Sequence, residues 1–367
     1  MMIIISFCIY SCEDESNTLI PEPTVQLDSE RFNWKNIEIP SEVHALFGSN
    51  PWMSDTDEVF IVQTSINKLF HYKGGNYNFI EFQSNIELND IKGLSSTEGY
   101  LFGVKHLEKD IPCIFKWNGS TFIELPVNVQ SETKFRSINA PSFVRNRNEM
   151  WISARGANWK FDGYNLTAFP LPDSDGYTEG FCEKNNKLKC YYEINDSAHL
   201  YSKVFEFEGN SWNLVYQMIQ NNGYINNGAY YYFYCIGNSI LMLSHSQLCE
   251  NLYEFDDNNS LSLILSIQNS LPIKGYGIFY PICGIPPNNI IFYGYSQYLQ
   301  LAGYDRIGHW NGMKFSIENS SFFDNGLNFA TGIMPDSNHC CLLWDTGRQF
   351  RRVDLLFGTR KNFNKLK

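Results

Sequence analysis

The chain has 367 residues and a formal net charge of −11. Aromatic residues make up 16% of it and charged residues 18%. Disordered chains are rich in charge and poor in aromatics, so this composition excludes a mainly disordered protein. It suits β-sheets packed face to face, where aromatic side chains fit well. The negative charge also argues against a nucleic-acid partner, because the phosphate backbone attracts basic proteins.

The first 29 residues predict an export signal followed by a tether. Residues 1–11 are apolar and uncharged and end in Ile9-Tyr10-Ser11-Cys12, which resembles a bacterial lipobox. The acidic residues 13–15 resemble the surface-export signal of lipoproteins in Bacteroidetes-type bacteria. This resemblance implies a signal-peptide remnant over residues 1–11, a lipid on Cys12, and surface exposure on the outer membrane. Residues 12–29 would then be an extended tether. The alternative is a buried first strand with an incidental cysteine.

A short phrase recurs along the rest of the chain. It consists of two aromatic residues one position apart, followed by a polar residue and glycine at a turn. Four full copies and two degenerate ones end near positions 74, 119, 163, 209, 257 and 312. A nearly constant period in this range indicates an array of similar units.

Each unit predicts a four-stranded antiparallel meander, with strands A, B, C and D in chain order. The phrase falls on strand C, and its Asn-Gly or Asp-Gly pair forms the hairpin to strand D, since both residues of such a turn favour positive φ. In the first unit the strands are expected at residues 43–48, 58–63, 68–72 and 77–82. The last unit, at residues 327–355, has no D strand.

An orphan strand at residues 31–40, before the first unit, supplies the missing D strand. Joining the two ends closes a ring and hides edge strands that would otherwise promote aggregation. The sequence therefore predicts an all-β fold: a β-propeller of roughly seven four-stranded blades over residues 30–357. The basic residues 358–367 are expected to be a solvated tail. The repeated phrase resembles that of bacterial envelope propellers, a resemblance that implies the fold only.

One face of such a propeller carries the B–C loops and the D–A crossovers and is called the loop face here. The opposite face carries the A–B and C–D turns and is called the turn face. The B–C loops differ in length, and the longest is residues 294–305. Unequal loops on one face of a repeat array indicate the binding face.

Tyrosines with amide and charged neighbours in this loop suit a glycan or a peptide, because tyrosine offers contact area at little entropic cost. The alternative is that these tyrosines only pack the loop onto its own blade. The candidate ligand-binding residues lie in or beside the longest loop: Tyr276, Tyr295, Gln297, Tyr298, Tyr304, Asp305 and Arg306.

The histidines and cysteines provide weaker predictions. His71 and His309 occupy the position between the aromatics of the phrase and are expected on an outward surface. His106, His199 and His245 fall in or beside different B–C loops, where a shared metal is the less favoured alternative. Neither these residues nor the cysteine spacing implies a zinc site.

Cys182 and Cys190 flank a hairpin that we place around Asn186. This puts the two cysteines directly opposite each other and allows a cross-strand disulfide in an oxidising compartment. Two free thiols are the equally weighted alternative. The remaining cysteines of the propeller show no CxxC spacing and are expected to pack in the core.

No catalytic motif stands out: the chain has neither a Gly-x-Ser-x-Gly elbow nor a His-Glu-x-x-His helix. We expect no cofactor. The preferred hypothesis is a non-enzymatic lipoprotein that binds a glycan, a peptide or a partner protein on its loop face. The alternatives are a scaffold subunit of an envelope assembly complex and an enzyme that acts on polysaccharide through carboxylates.

Overall fold

The structure is a computed structural model. It describes residues 26–28, 32–38, 51–63, 67–95, 97–130, 141–154, 156–172, 177–195, 199–221, 230–245, 249–256, 258–268, 278–295, 306–313, 315–318, 330–345 and 353–360. Every regular element in these ranges is a β-strand. They include no helix that is long and apolar enough to cross a bilayer.

In the described residues, thirty strands form seven separate sheets, which are the blades of a propeller. Two strands precede the blades, β1 (Gln26–Asp28) and β2 (Phe32–Glu38). Blade 1 contains β3 (Trp52–Asp55), β4 (Glu58–Gln63), β5 (Lys68–Lys73) and β6 (Asn76–Glu81). Blade 2 contains β7 (Ile86–Ser95), β8 (Glu98–Lys105), β9 (Ile111–Trp117) and β10 (Phe122–Glu124). Strand β11 (Asn128–Val129) leads into blade 3, which contains β12 (Ser142–Asn146), β13 (Glu149–Ala154), β14 (Ala157–Phe161) and β15 (Asn165–Pro170).

The remaining blades follow the same order. Blade 4 contains β16 (Tyr177–Lys184), β17 (Lys187–Asn195), β18 (His199–Glu208) and β19 (Ser211–Asn221). Blade 5 contains β20 (Tyr230–Ile236), β21 (Ser239–His245), β22 (Cys249–Phe255) and β23 (Leu261–Gln268). Blade 6 contains β24 (Ile278–Ile285), β25 (Asn289–Tyr295), β26 (Arg306–Trp310) and β27 (Phe315–Glu318). Blade 7 contains β28 (Ala330–Asp336), β29 (His339–Asp345) and β30 (Val353–Arg360), with β2 as its fourth strand.

The blades are antiparallel meanders whose first strands lie against one another around the axis. This arrangement confirms the predicted all-β propeller, and the count of seven blades is the predicted one. The first strand of blade 1, however, is Trp52–Asp55. The segment at residues 43–48, which we predicted for that strand, lies outside the described residues.

The ring closes through strand β2, as the sequence predicts. Strand β2 pairs antiparallel with β30 from Phe32–Arg360 to Glu38–Asp354. Phe32 is buried in the core between blades 6 and 7. Trp34 lies opposite Gly358, and a Cβ atom at that glycine would come within 2.8 Å of the indole ring. The tight fit between the large ring and the bare backbone sets the register of the closing strand.

Two further strands lie on outer edges that the sequence analysis leaves open. Strand β1 pairs in parallel with β27, and strand β11 pairs in parallel with β15. The end of the predicted tether is therefore a strand at residues 26–28, because the outer edge of blade 6 offers unpaired backbone groups there. At the other end of the chain, β30 runs to Arg360, three residues into the predicted tail.

The repeated phrase fills the spaces between blades. The described side chains form seven core clusters, each shared by two adjacent blades. The aromatics of the phrase always face the preceding blade: Trp159 and Phe161 of blade 3 pack with Tyr100 and Phe102 of blade 2, for example. Period-2 alternation then points the residue between the two aromatics toward the following blade.

This alternation corrects the prediction for His71 and His309. His309 is only 1% exposed and its Nε2 atom lies 2.7 Å from Oδ1 of Asn289. His71 stacks on Phe60 with ring centroids 4.2 Å apart and pairs with Glu58 at 2.8 Å. Neither histidine is on an outward surface, because both faces of a propeller blade are covered by neighbouring blades.

Charged side chains tie adjacent blades together on the turn face. Arg147 of blade 3 donates two hydrogen bonds to Glu98 of blade 2, at 2.7 and 2.9 Å. These bonds hold the pKa of Glu98 at about 2. Arg145 pairs with Glu183 of blade 4 at 2.9 Å, and Lys184 pairs with Glu254 of blade 5 at 2.9 Å. Each contact crosses one blade boundary, so the ion pairs help to fix the order and tilt of neighbouring sheets.

Candidate functional site

The predicted ligand-binding residues belong to the loop-face end of blade 6. Tyr295 ends strand β25 and pairs with Ile278, and Arg306 begins β26 and pairs with Gly294. The backbones of Tyr295 and Arg306 are thus on the predicted face, but their side chains are outside what the structure describes. Tyr276, Gln297, Tyr298, Tyr304 and Asp305 lie outside the described residues altogether, so the ligand-binding role of this loop stays a prediction.

The loop-face halves of blades 4, 5 and 6 carry a group that the sequence analysis missed. We call it the tyrosine–carboxylate cluster. Tyr191 packs between blades 4 and 5, whereas Tyr232, Tyr234 and Tyr280 pack between blades 5 and 6. Burial raises the pKa of Tyr234, and the nearby hydroxyls of Tyr280 and Tyr232 and the carboxylates of Glu193 and Glu250 raise it further. The cluster consists of Tyr191, Glu193, Tyr232, Tyr234, Glu250 and Tyr280.

The blade 4 part of the cluster is a hydrogen-bonded pair. Tyr191 and Glu193 are two positions apart on β17, so both side chains project from the same face of the sheet. The Tyr191 hydroxyl donates to Oε1 of Glu193. Burial raises the pKa of both groups. The carboxyl of Glu193 therefore keeps its proton to a higher pH than an exposed glutamate does.

The blade 5 part connects to the first strand of blade 6. Glu250 is 1% exposed, and its Oε2 atom accepts a hydrogen bond from the backbone N–H of Phe279 at 2.9 Å. Its Oε1 atom lies 3.3 Å from Nδ1 of His245. Burial raises the pKa of Glu250, against the opposite effect of His245. These bonds orient a buried carboxyl and also hold strand β24 in place.

Tyr232 and Tyr280 form the accessible side of the cluster. Their rings meet edge to face with centroids 5.7 Å apart, and both side chains are partly exposed. Burial raises the pKa of the neighbouring Tyr234, so its hydroxyl stays protonated and remains able to donate a hydrogen bond. The cluster thus combines flat aromatic surfaces with carboxyl and hydroxyl groups, a combination that suits polar ligands with an apolar side.

Bulges on the inner strands place additional polar groups near the axis. The register of β16 shifts between Thr178 and Gly180, which makes Glu179 the extra residue. The charges of Glu179 and of Lys92 both act on the Cys235 thiol. Lys92 is on the first strand of blade 2 and Cys235 on the first strand of blade 5.

The three loop histidines are each held within their own blade. His106 lies 3.0 Å from both Asp110 and Glu87, His245 pairs with Glu250, and the His199 ring packs beside Tyr201. The part of the chain that the structure describes contains no group of three metal-ligating side chains. The alternative of a metal shared by these histidines therefore gains no support from their geometry.

The candidate disulfide between Cys182 and Cys190 is not formed, and both thiols are free and buried. Asn185 and Asn186 both adopt positive φ, so they form a two-residue turn whose centre lies between them. Cys182 then pairs with Lys189, and Cys190 pairs with Phe181. This offset of one residue sends the two thiols to opposite faces of the sheet: Cys182 packs toward blade 5 and Cys190 toward blade 3.

We expect the cysteines of the native propeller to resist thiol reagents. Burial raises the pKa of Cys113, Cys182 and Cys190 to about 12, so almost no reactive thiolate exists at about pH 8. Labelling with a maleimide followed by peptide mapping should find these three positions modified only after denaturation. Rapid modification of Cys182 or Cys190 in the folded protein would contradict the described packing.

No family model and no curated protein sequence matches the chain. Solved propeller structures are similar to it. A virginiamycin B lyase from Staphylococcus aureus matches with a TM-score of 0.51 and 8% identity, over 89% of this chain and 99% of that one. A streptogramin B lyase matches with a TM-score of 0.51 and 11% identity, over 88% and 97% of the two chains. At these identities the similarity shows the seven-bladed propeller fold alone.

Proposed function

We propose that this protein is a non-enzymatic binding protein, a lipoprotein on the bacterial cell surface that holds a glycan, a peptide or a partner protein on its loop face. The tyrosine–carboxylate cluster is the observation that supports this most directly. It combines partly exposed aromatic rings with oriented carboxyl groups on the loop-face halves of blades 4, 5 and 6. Such a surface provides stacking for a ligand's apolar face and hydrogen bonds for its polar groups.

The binding proposal is tested with the full chain on a glycan array and in pull-downs from envelope extracts. Tyr232→Ala and Tyr280→Ala should reduce the captured signal at least tenfold, because each removes a ring that the ligand contacts. Tyr164→Ala is the matched control: Tyr164 is 57% exposed but follows strand β14 on the turn face. Binding that survives both loop-face substitutions contradicts the proposal, and a partner protein captured equally by all variants would indicate the scaffold alternative.

One observation favours an enzyme as a second candidate. Glu250 is buried and Glu193 is partly buried, and burial raises the pKa of both carboxyls. Perturbed carboxyls of this kind occur at glycoside-cleaving sites, where one group must stay protonated. An assay for new reducing ends on a panel of polysaccharides tests this candidate. Activity that disappears in Glu193→Gln and Glu250→Gln would support it, and no release by the native chain would count against it.

The lipid anchor has its own expected outcome. Cys12→Ala should move the protein from the membrane fraction to the soluble fraction, because the thiol that carries the lipid is gone. Cys8→Ala is the matched control, since residue 8 would be removed with the signal. Fractionation and labelling with a fatty-acid analogue provide the measurement, and a Cys12→Ala protein that stays in the membrane would disprove the anchor.

A further inference from the structure

The turn face carries a pocket between blades 6 and 7 that is separate from the tyrosine–carboxylate cluster. Its volume is about 310 Å³, at the small end of ligand pockets, which span roughly 300–1,000 Å³. Blade 6 contributes Asn288 and Asn289 from its A–B turn and Asn311 from its C–D turn. Blade 7 contributes Ser337 from its A–B turn and Arg360 from the end of β30. Five polar residues from four chain segments therefore surround one cavity.

Several contacts fix the blade 6 wall of this pocket. Asn289 is only 8% exposed, and its Oδ1 atom accepts a hydrogen bond from His309 Nε2 at 2.7 Å. Its Nδ2 atom donates to the Ser337 carbonyl at 3.4 Å, across the boundary between the blades.

The Trp310 indole donates to the Pro287 carbonyl at 3.0 Å and holds the A–B turn. A Cβ atom at Gly312 would come within 2.8 Å of Oδ1 of Asn288, so the glycine allows the two turns to approach. The wall is thus preformed.

Three side chains remain available for a ligand. Among the described residues, no partner accepts from the Arg360 guanidinium, and none bonds to the side-chain amide of Asn288 or the hydroxyl of Ser337. The neighbouring acid, Asp336, is already occupied by the His339 ring at 2.8 Å and by two backbone N–H groups. Within the described part of the chain, the pocket therefore presents one positive charge that has no partner, beside uncharged hydrogen-bonding groups.

This chemistry selects a particular kind of ligand. A guanidinium pairs with a planar carboxylate through two parallel hydrogen bonds. Carboxamides and a hydroxyl both donate and accept, as the adjacent hydroxyls of a sugar require. Ile285, which is 42% exposed, and Pro286 offer an apolar surface for the C–H face of a sugar ring. We propose that this pocket binds a single sugar residue that carries a carboxylate.

Calorimetric titration of the full chain with glucuronate, galacturonate and N-acetylneuraminate tests the proposal, with glucose and acetate as probes of each half of the ligand. At least one acidic sugar should bind about tenfold more tightly than glucose and than acetate, a difference of about 1.4 kcal/mol. The proposal would be overturned if glucose or acetate bound as tightly as the acidic sugars. It would also be overturned if no acidic sugar bound at millimolar concentration.

Substitutions of residues that line the pocket test whether the acidic sugar binds there. Arg360→Gln should weaken binding of the acidic sugar about tenfold or more. Arg360→Lys should weaken this binding less, and Asn288→Ala should weaken it several-fold. Arg147→Gln is the control, because Arg147 is an exposed turn-face arginine that is already paired with Glu98. Melting temperatures establish that each variant is folded. Tyr232→Ala should leave this binding intact, so failure here and failure of the loop-face proposal are distinguishable. Unchanged affinity in folded Arg360→Gln would place the sugar elsewhere and refute the pocket.

Discussion

Removal of residues 1–38 should abolish cooperative folding of the propeller. The deletion takes away strand β2, which is the fourth strand of blade 7 and pairs with β30 along seven residues. The edge of β30 would then be unpaired, and the core between blades 6 and 7 would lack the side chains of Phe32 and Trp34. An unpaired, apolar sheet edge promotes association between molecules. We expect a broad thermal transition in circular dichroism and aggregates in size-exclusion chromatography.

Two matched changes separate ring closure from general damage at the N-terminus. Removal of residues 1–25 ends before β1 and should leave the melting transition cooperative. Phe32→Ala, at a side chain that is 1% exposed, should cost about 3–5 kcal/mol of unfolding free energy. A protein that lacks residues 1–38 and still unfolds at the native temperature as a monomer would show that β2 does not close the ring.

Gly99→Ala should destabilise the protein by about 1–3 kcal/mol, the usual cost of overpacking a core. Gly93 and Gly99 pair directly between β7 and β8, and the Trp52 indole of blade 1 lies flat on both. A Cβ atom at Gly99 would come within 2.4 Å of this ring and one at Gly93 within 1.8 Å. Trp52 is 3% exposed and cannot move without disturbing the core between blades 1 and 2.

A double-mutant cycle tests whether Trp52 is the cause. In a Trp52→Ala background the ring is absent, so Gly99→Ala should cost much less than in the native protein. Chemical denaturation provides the free energies of the four proteins. Equal costs in both backgrounds would show that the alanine acts through the backbone and not through contact with the indole.

The blades could be predicted because the signal for them is local and repeated. Glycine of the phrase adopts positive φ in every copy that has it, with φ values of +97° at Gly119 and +100° at Gly163. A turn that needs such a residue is visible in sequence, and so are the alternating aromatics before it. The closing strand was found by the same means, since the stretch around Trp34 has a strand pattern and no unit of its own.

Details that depend on a single residue of register were not predictable. The sequence contains Lys184-Asn185-Asn186-Lys187, and either asparagine can take positive φ. A turn centred on Asn186 would have placed Cys182 and Cys190 opposite each other, whereas the turn over both asparagines does not. The inner-strand bulge at Glu179 poses the same problem, because nothing local marks the extra residue.

The site was only partly accessible to sequence reasoning. The run at residues 230–234 holds four tyrosines and a phenylalanine, and this aromatic density on an inner strand could have indicated the cluster. Glu193 and Glu250 had no such signal, because their environment is assembled from different blades. The asparagines of the turn-face pocket were hidden for another reason: asparagine is common in turns for its backbone preferences alone.

Pairing of β2 with β30 also constrains the way the polypeptide reaches its native state. Nearly all of the propeller lies between these two partners in sequence, so the first blade-forming segment to leave the ribosome or a translocation pore must wait for the last. Contacts of such long sequence separation form slowly. Until they form, Phe32 and Trp34 have no core to pack into, so this short apolar stretch stays open to a chaperone while the rest of the chain is synthesised.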